Sequence, residues 1–324
     1  MRAIVCTELG GPDRLQLQTL PARKPGATEV LLRVAAAGVN FPDTLIIQGK
    51  YQLRAEPPFI PGAEVAGEVL EVGAKVRHLK PGDRVAALVS VGGYASEAIA
   101  AADACLPIPA DMPMDEAAGF ALAYGTVIHA LVQCGRLHHD DTLLVLGAAG
   151  GVGLAAVQLG KLMGARVIAA ASTDDKLALA KAHGADETVN YSQVSLKEAV
   201  KGLTKGQGAN VIFDPVGGPL AQDCLSAAAW GGRYLVVGFA EGTIPQLPAN
   251  RLLLKEVAAV GVHWGAFVVR EPARNLENFR QLFAWYEEGR FKPVISARYP
   301  LEQAARALQD MEARSVTGKV VLIP

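Results

Sequence analysis

Leu143-Leu144-Val145-Leu146-Gly147-Ala148-Ala149-Gly150-Gly151-Val152-Gly153-Leu154 is an apolar run that feeds a glycine-rich turn and resumes as a second apolar run. The opening aliphatic residues read as a buried strand, and residues 152–163 as a helix. Aligned on the pattern G-x-G-x-x-G, the three key positions are Ala148, Gly150 and Gly153, with alanine in place of the first glycine. Gly150 lets a pyrophosphate approach the backbone, and Gly153 lets helix and strand pack closely. The free N–H groups at the helix start attract negative charge. The bland alternative is a tight turn in an ordinary α/β domain, but a strand, a helix and a second strand in order favour a dinucleotide site. Residues 142–160 carry no charge, close to the ~20 residues of a membrane span, yet their five clustered glycines fit a buried strand and turn instead.

Outward from this turn, strands and helices alternate between residues 142 and 238. Strands are expected at 142–146, 166–171, 188–191, 210–214 and 233–238, with helices between them, the last near 220–229. Such alternation predicts a parallel sheet with crossover helices. Gly164 and Gly184 stand where helices should end, and Ser195 with Glu198 forms a capping box. The first hundred residues read differently, as a mostly antiparallel β region with short strands at 2–7, 15–20, 29–37, 66–72, 84–88 and 94–100. These are punctuated by Gly10-Gly11-Pro12, Pro57-Pro58, Pro61-Gly62 and Pro81-Gly82-Asp83. Residues 115–134 read as one buried helix ending at Gly135. Beyond Gly265 come a helix at 275–288, a strand at 294–299, a helix at 301–313 and a last strand at 319–323, a tail expected to return to the first domain.

The fingerprint asks for an acidic residue about 20 positions on, at the end of the second strand, to hold the 2′-hydroxyl of NAD. Eighteen residues after Gly153 stands Ala171, followed by Ser172-Thr173 and then Lys176. Hydroxyls and a cation where a 2′-phosphate would sit favour NADP(H) over NAD(H). The same residues also suit a helix start, with Ser172 or Thr173 capping and Asp174 and Asp175 facing the dipole. Capping and phosphate binding can coexist.

Composition excludes several classes. At 324 residues the chain has room for about two domains. With 31 Lys plus Arg against 32 Asp plus Glu, it gives no global electrostatic case for nucleic acid or an anionic membrane. The four cysteines, Cys6, Cys105, Cys134 and Cys224, have no metal-ligand spacing, and none of the six histidines does either. The start MRAIVCTELGGP shows no basic segment before an apolar one, so a reducing cytoplasm is the expected location. There is no G-x-S-x-G elbow and no P-loop.

Several further motifs carry a resemblance: Ala37-Gly38-Val39-Asn40-Phe41-Pro42-Asp43, Pro61-Gly62-Ala63-Glu64-Val65-Ala66-Gly67, Lys80-Pro81-Gly82-Asp83-Arg84-Val85, the glycine turn, and Phe213-Asp214-Pro215-Val216-Gly217-Gly218. Over essentially its whole length the chain resembles the zinc-independent, zeta-crystallin-like quinone oxidoreductases of the medium-chain dehydrogenase/reductase superfamily. The resemblance implies a GroES-like catalytic domain made of both chain ends, residues 1–122 and 266–324. It implies a Rossmann domain at 123–265, a doubly wound parallel sheet, with a cofactor cleft between the two. It further implies a homodimer whose seam is an edge strand near 257–262. Zinc members of the superfamily carry Cys where this chain has Asn40 and His where it has Ala63, and a four-cysteine lobe that is absent after Leu88. Without a Lewis acid, reduction of an already electrophilic quinone or enone is the natural remaining chemistry.

Residue by residue, the family pattern places Asn40 and Thr126 on the nicotinamide side, and Ala149, Gly150, Gly151, Val152 and Gly153 at the pyrophosphate. It places Ser172, Lys176 and Tyr191 at the adenosine phosphate end, Phe239 beside the nicotinamide, and Arg314 on the cofactor. Tyr51 falls where relatives place a cleft tyrosine; a second tyrosine of some relatives is Leu45 here. Tyr51 is the candidate proton donor to the reduced oxygen, although a phenol of ordinary pKa is a weak acid and packing is its alternative role. Asn40 and Asp43 are candidate catalytic groups, or else the cap of the following helix. The expected activity is NADPH-dependent reduction of a quinone or α,β-unsaturated carbonyl. The alternatives are an enoyl-thioester reductase and an NADPH-binding protein with a structural or sensing role.

Overall fold

Turn residues divide the first hundred residues into separate strands, the longest of them Glu29–Val39. The computed structural model describes residues 1–324. Its chain start forms β1 (Arg2–Cys6), β2 (Leu15–Thr19), β3 (Glu29–Val39), α1 (Phe41–Ile47), β4 (Glu64–Val72), β5 (Arg84–Leu88), β6 (Glu97–Ala101), β7 (Cys105–Pro107) and α2 (Met114–Ala118). β1 and β2 pair with each other, while β3, β4, β5 and β7 follow one another antiparallel, with β6 also on β3.

The alternating region folds as read. It comprises α3 (Ala121–Ile128), β8 (Thr142–Leu146), α4 (Gly151–Leu162), β9 (Arg166–Ala171), α5 (Asp174–Ala182), β10 (Glu187–Asn190) and α6 (Leu196–Leu203). There follow β11 (Ala209–Asp214), α7 (Leu220–Ala227), β12 (Ala228–Val236), α8 (Ala249–Leu253), β13 (Ala258–Gly261), α9 (Trp264–Arg270) and α10 (Pro272–Glu287). The six strands make one parallel sheet in the order β10-β9-β8-β11-β12-β13. Crossovers run outward in both directions from β8, so the neighbours β8 and β11 border a topological switch point, the place where such sheets bind ligands. β8 is apolar without alternation because Leu143, Leu144, Val145 and Leu146 are all wholly buried.

The tail returns to the chain start: β14 (Ile295–Pro300), α11 (Ala304–Glu312) and β15 (Lys319–Ile323) close the β region. β15 lies antiparallel to β3, with Val320 opposite Val39, and β14 runs parallel to β15. Two units result, Met1–Leu122 with Lys292–Pro324, and Ala123–Phe291. The first packs a core from Ile4, Leu32, Val65, Tyr94, Leu308 and Leu322, and the second from Leu144, Ile168, Val189, Ile212, Leu225 and Tyr234.

Three expectations are corrected. The second boundary falls at 291/292 rather than 265/266, because α9 and α10 pack on the second unit. The Phe267 ring stacks on His129 at 4.0 Å, Gln133 bonds Asn278 at 3.1 Å, and Phe291 stacks on Tyr124 at 4.9 Å. The single helix expected at 115–134 is α2, α3 and a π-helical turn, His129–Cys134. The break falls at Gly119, where an added side chain would press on Ile295 and Lys319. β12 begins at Ala228 because α7 stops one residue earlier and the strand carries an irregularity opposite Ala209 and Val211.

Candidate functional site

In the second unit the site is the row of turns at the strand ends. Gly147 leaves β8 with φ +56°, a conformation glycine adopts freely, and α4 begins at Gly151 with no side chain capping it. Its first-turn N–H groups lack intrahelical partners and stay available for an anion. A side chain on Gly153 would overlap the Gly147 carbonyl, so that glycine is required by helix-to-strand packing. Gly150 differs. A Cβ there meets only the Gly147 oxygen, at 3.4 Å, so the space above the turn is open and the turn could admit a pyrophosphate.

The neighbouring turn, after β11, is shaped by Asp214, which is 1% exposed. One of its oxygens accepts from the N–H groups of Val216 and Gly217, each at 2.8 Å, and the other accepts the Tyr234 hydroxyl. The turns after β8 and β11 adjoin, since a Gly147 side chain would touch Val216 at 3.0 Å. The loop after β12 is stitched to the same turn by N–H bonds from Ala240 to Pro215 and from Glu241 to Val216. That loop carries Phe239, which borders Gly217. Thr126 lies half-buried on α3, which Tyr124 ties to Gln158 of α4 at 2.6 Å.

At the end of β9, Ala171 accepts the N–H of Tyr191, and Thr173 caps α5 through the N–H of Lys176. Asp174 is committed elsewhere: Asn190 donates to one of its oxygens at 2.6 Å and Gln193 to the other at 3.3 Å. Ser172, Lys176 and Tyr191 are half-buried around this strand end. The capping reading therefore holds for Thr173, with Asp174 bonded to Asn190 and Gln193 and Asp175 exposed beside it.

The first unit holds a second group of candidates. Asn40 precedes α1, and Asp43 sits in its first turn with one oxygen accepting the Asn40 N–H at 2.9 Å. Asp43 is wholly buried, and desolvation pushes its carboxyl up to about 6 despite bonds from Tyr94 and Asn40. Bonded to the Asn40 N–H and the Tyr94 hydroxyl, the Asp43 carboxyl holds the start of α1. Tyr51 packs half-buried on the core, its phenol pushed above the ordinary value by burial first and by the Asp43 charge second. Arg314 is exposed, just past α11, whose Glu312 accepts a bond of 2.7 Å from Gln48.

Two residues without a role in the sequence reading complete this group. Lys319 Nζ lies 2.6 Å from Asn40 Oδ1 and 2.7 Å from Glu64 Oε1, and the Asn40 amide donates to Glu64 at 2.9 Å. Both charged residues are buried. The available signal was a charge set alone among apolar neighbours, as in Ala63-Glu64-Val65 and Gly318-Lys319-Val320.

Comparison with known proteins agrees with this layout. Residues 26–110 match the alcohol dehydrogenase GroES-like domain family, and residues 151–287 match the zinc-binding dehydrogenase family. The chain is 41% identical to the quinone oxidoreductase-like protein 2 homolog of Nematostella vectensis, over 99% of its own length and 88% of that protein's. It is 35% identical to the quinone oxidoreductase of Mus musculus, over 100% and 98% of the two. Among solved structures, the Escherichia coli quinone oxidoreductase complexed with NADPH superposes with a TM-score of 0.93 at 29% identity, over 100% of each chain.

Proposed function

The chain belongs to the quinone oxidoreductase-like family of the medium-chain dehydrogenase/reductases, and on that premise we propose that it reduces a quinone or an α,β-unsaturated carbonyl with NADPH and without zinc. The observation that carries the reading is the open turn over Gly150, set at the switch point beside an uncapped helix start. Bound NADPH supplies the hydride. The first-turn amides of α4, from Gly151 to Gly153, hold the pyrophosphate, with Ala149 and Gly150 allowing its close approach. Ser172, Lys176 and Tyr191 receive the 2′-phosphate, for which the site offers hydroxyls and a cation. Asn40, Thr126 and Phe239 orient the nicotinamide end, and Arg314 is a further cofactor contact.

Tyr51 holds a proton for the oxygen that gains charge as the hydride arrives. Its raised pKa keeps the phenol protonated throughout the neutral range, so it can donate a hydrogen bond to that oxygen. The two electrons and one proton of the hydride, with this second proton, convert a quinone to a hydroquinone.

The residues at the two superfamily zinc positions do not fit the metal. Asn40 and Ala63 supply no anionic or imidazole donor, and the Lys319 ammonium 2.6 Å from Asn40 Oδ1 would repel a divalent cation. The proposed assembly is a homodimer through β13, an edge strand with exposed residues and the exposed Leu253 and Leu254 nearby in the chain. Loss of NADPH on mixing chelator-treated protein with a para-quinone tests the activity. An inert mixture across quinones and enones would reject it.

A further inference from the structure

Two buried charges of the first unit ask for a reason. Glu64, the first residue of β4, is 1% exposed, and Lys319, the first residue of β15, is 5% exposed. Removing such a pair from water costs several kcal/mol per ion, and apolar residues of the same volume often serve stability as well or better. Stability alone is therefore a poor account of the pair.

The register explains how the pair is built. β15 runs antiparallel to β3 with Val320 opposite Val39, so Lys319 arrives beside Asn40, the residue after β3. Glu64 lies opposite Gly38. A side chain on Gly38 would overlap a Glu64 carboxylate oxygen, and one on Gly119 would press on the Lys319 stem at 3.2 Å, so two glycines make the room.

Every polar group of the cluster is matched. The three ammonium hydrogens of Lys319 face Asn40 Oδ1, Glu64 Oε1 and, at 3.4 Å, the Val39 carbonyl. Asn40 Nδ2 faces Glu64 Oε1 and, at 3.4 Å, the Gly38 carbonyl. Glu64 Oε2 accepts the Leu122 N–H at 2.9 Å, in the first turn of α3. The two ends of an asparagine amide are alike in shape, so its orientation is set by its hydrogen-bond partners. Here a flip would set the NH2 group against an ammonium and the carbonyl against a carboxylate.

From this we infer that Lys319 and Glu64 are positioning residues for the Asn40 amide, holding its oxygen toward the lysine and its nitrogen toward the glutamate so that Asn40 presents one fixed polarity to the nicotinamide. The inference rests on the reductase reading above. It assigns the pair to orientation during hydride transfer rather than to cofactor affinity.

The test compares the full-length wild type with Lys319→Met/Glu64→Gln, which removes both charges together and strands neither, and with Lys319→Arg, which keeps the cation. Asparagine-labelled protein is observed by NMR before NADPH is added; NADPH affinity is then titrated, and single-turnover hydride transfer to a quinone is followed. The wild-type Asn40 amide protons should be well separated and slow to exchange, and in the double variant they should collapse toward free-amide values. NADPH affinity should stay within about threefold while the transfer step slows by about tenfold or more, with Lys319→Arg recovering much of the rate. Transfer unchanged in the double variant, or a wild-type Asn40 amide that exchanges freely, overturns the inference. If the wild type transfers hydride to no acceptor, the reductase reading falls and takes the inference with it, an outcome recognised because the wild type itself is inert. Should the double variant fail to fold, the wild-type amide signal and Lys319→Arg still decide: a freely exchanging amide, or Lys319→Arg as slow as a neutral substitution would be, counts against it.

Discussion

Tyr94 Oη donates a 2.7 Å hydrogen bond to Oδ2 of Asp43, the oxygen that also accepts the Asn40 N–H, while Oδ1 of the same buried carboxyl has no partner. Both donors converge on one oxygen, and the other is left desolvated and unpaired, a costly state for a carboxylate. Glu64 adds a repelling charge and Lys319 an attracting one, but burial dominates and the carboxyl rises from 3.8 to about 6.

The sign of the resulting pH effect follows from proton counts. Between about pH 4 and pH 6 the folded protein holds a proton on Asp43 that the unfolded chain has released, so stability falls as pH rises through this window. The loss amounts to about 3 kcal/mol at neutral pH relative to a group with no shift. Asp43→Asn should remove that slope, so the stability of the wild type relative to the variant should shrink by this amount from about pH 4 to pH 7. Urea unfolding across the range checks it; parallel curves would contradict an Asp43 carboxyl raised by burial.

Gly150 and Gly153 should separate under the same substitution. Gly153→Ala drives a methyl into the Gly147 carbonyl and should cost about 3 kcal/mol of stability. Gly150→Ala finds open space and should change stability by less than about 1 kcal/mol, while weakening NADPH binding about tenfold or more by obstructing the pyrophosphate. Thermal melts and fluorescence titration with NADPH distinguish the two.

Lys176→Glu puts a carboxylate where the 2′-phosphate is proposed to bind. A charge-assisted bond of about 2 kcal/mol is lost and repulsion added, so the preference for NADPH over NADH should fall at least about tenfold. An unchanged ratio of the two kcat/KM values would remove Lys176 from the phosphate site.

Tyr51→Phe should lower kcat by about tenfold with little change in NADPH affinity, because solvent can replace the phenol only in part as proton source. The raised phenol pKa predicts that wild-type kcat shows no loss from phenol ionisation below about pH 10. Equal kcat values for the two proteins would assign Tyr51 to packing.

The sequence made the second unit legible because each strand and crossover helix announces itself locally. β8, its turn and α4 are one unbroken stretch, and Gly150 and Gly153 could be given different tasks from spacing alone. The return of the tail to the first unit holds for its two strands, β14 and β15, but not for its first helix, α10. Other features depended on distant contacts. Nothing near residue 265 signals that α9 and α10 belong with the second unit, because that follows from Phe267 meeting His129 and Asn278 meeting Gln133. Glu64 and Lys319 stayed hidden for the same reason: their pairing comes from antiparallel registers joining β3 to β4 and to β15, and no local spacing encodes it.

The most direct test of the account is the initial rate of NADPH and NADH oxidation by chelator-treated protein with ortho- and para-quinones, simple 2-enones and an enoyl-CoA. The account predicts rapid loss of NADPH with quinones or enones, a clear preference for NADPH over NADH, and no effect of the chelator. Tight NADPH binding with no acceptor accelerating its loss would contradict the reductase and leave a cofactor-binding protein, and a rate abolished by chelation would contradict the proposed zinc independence.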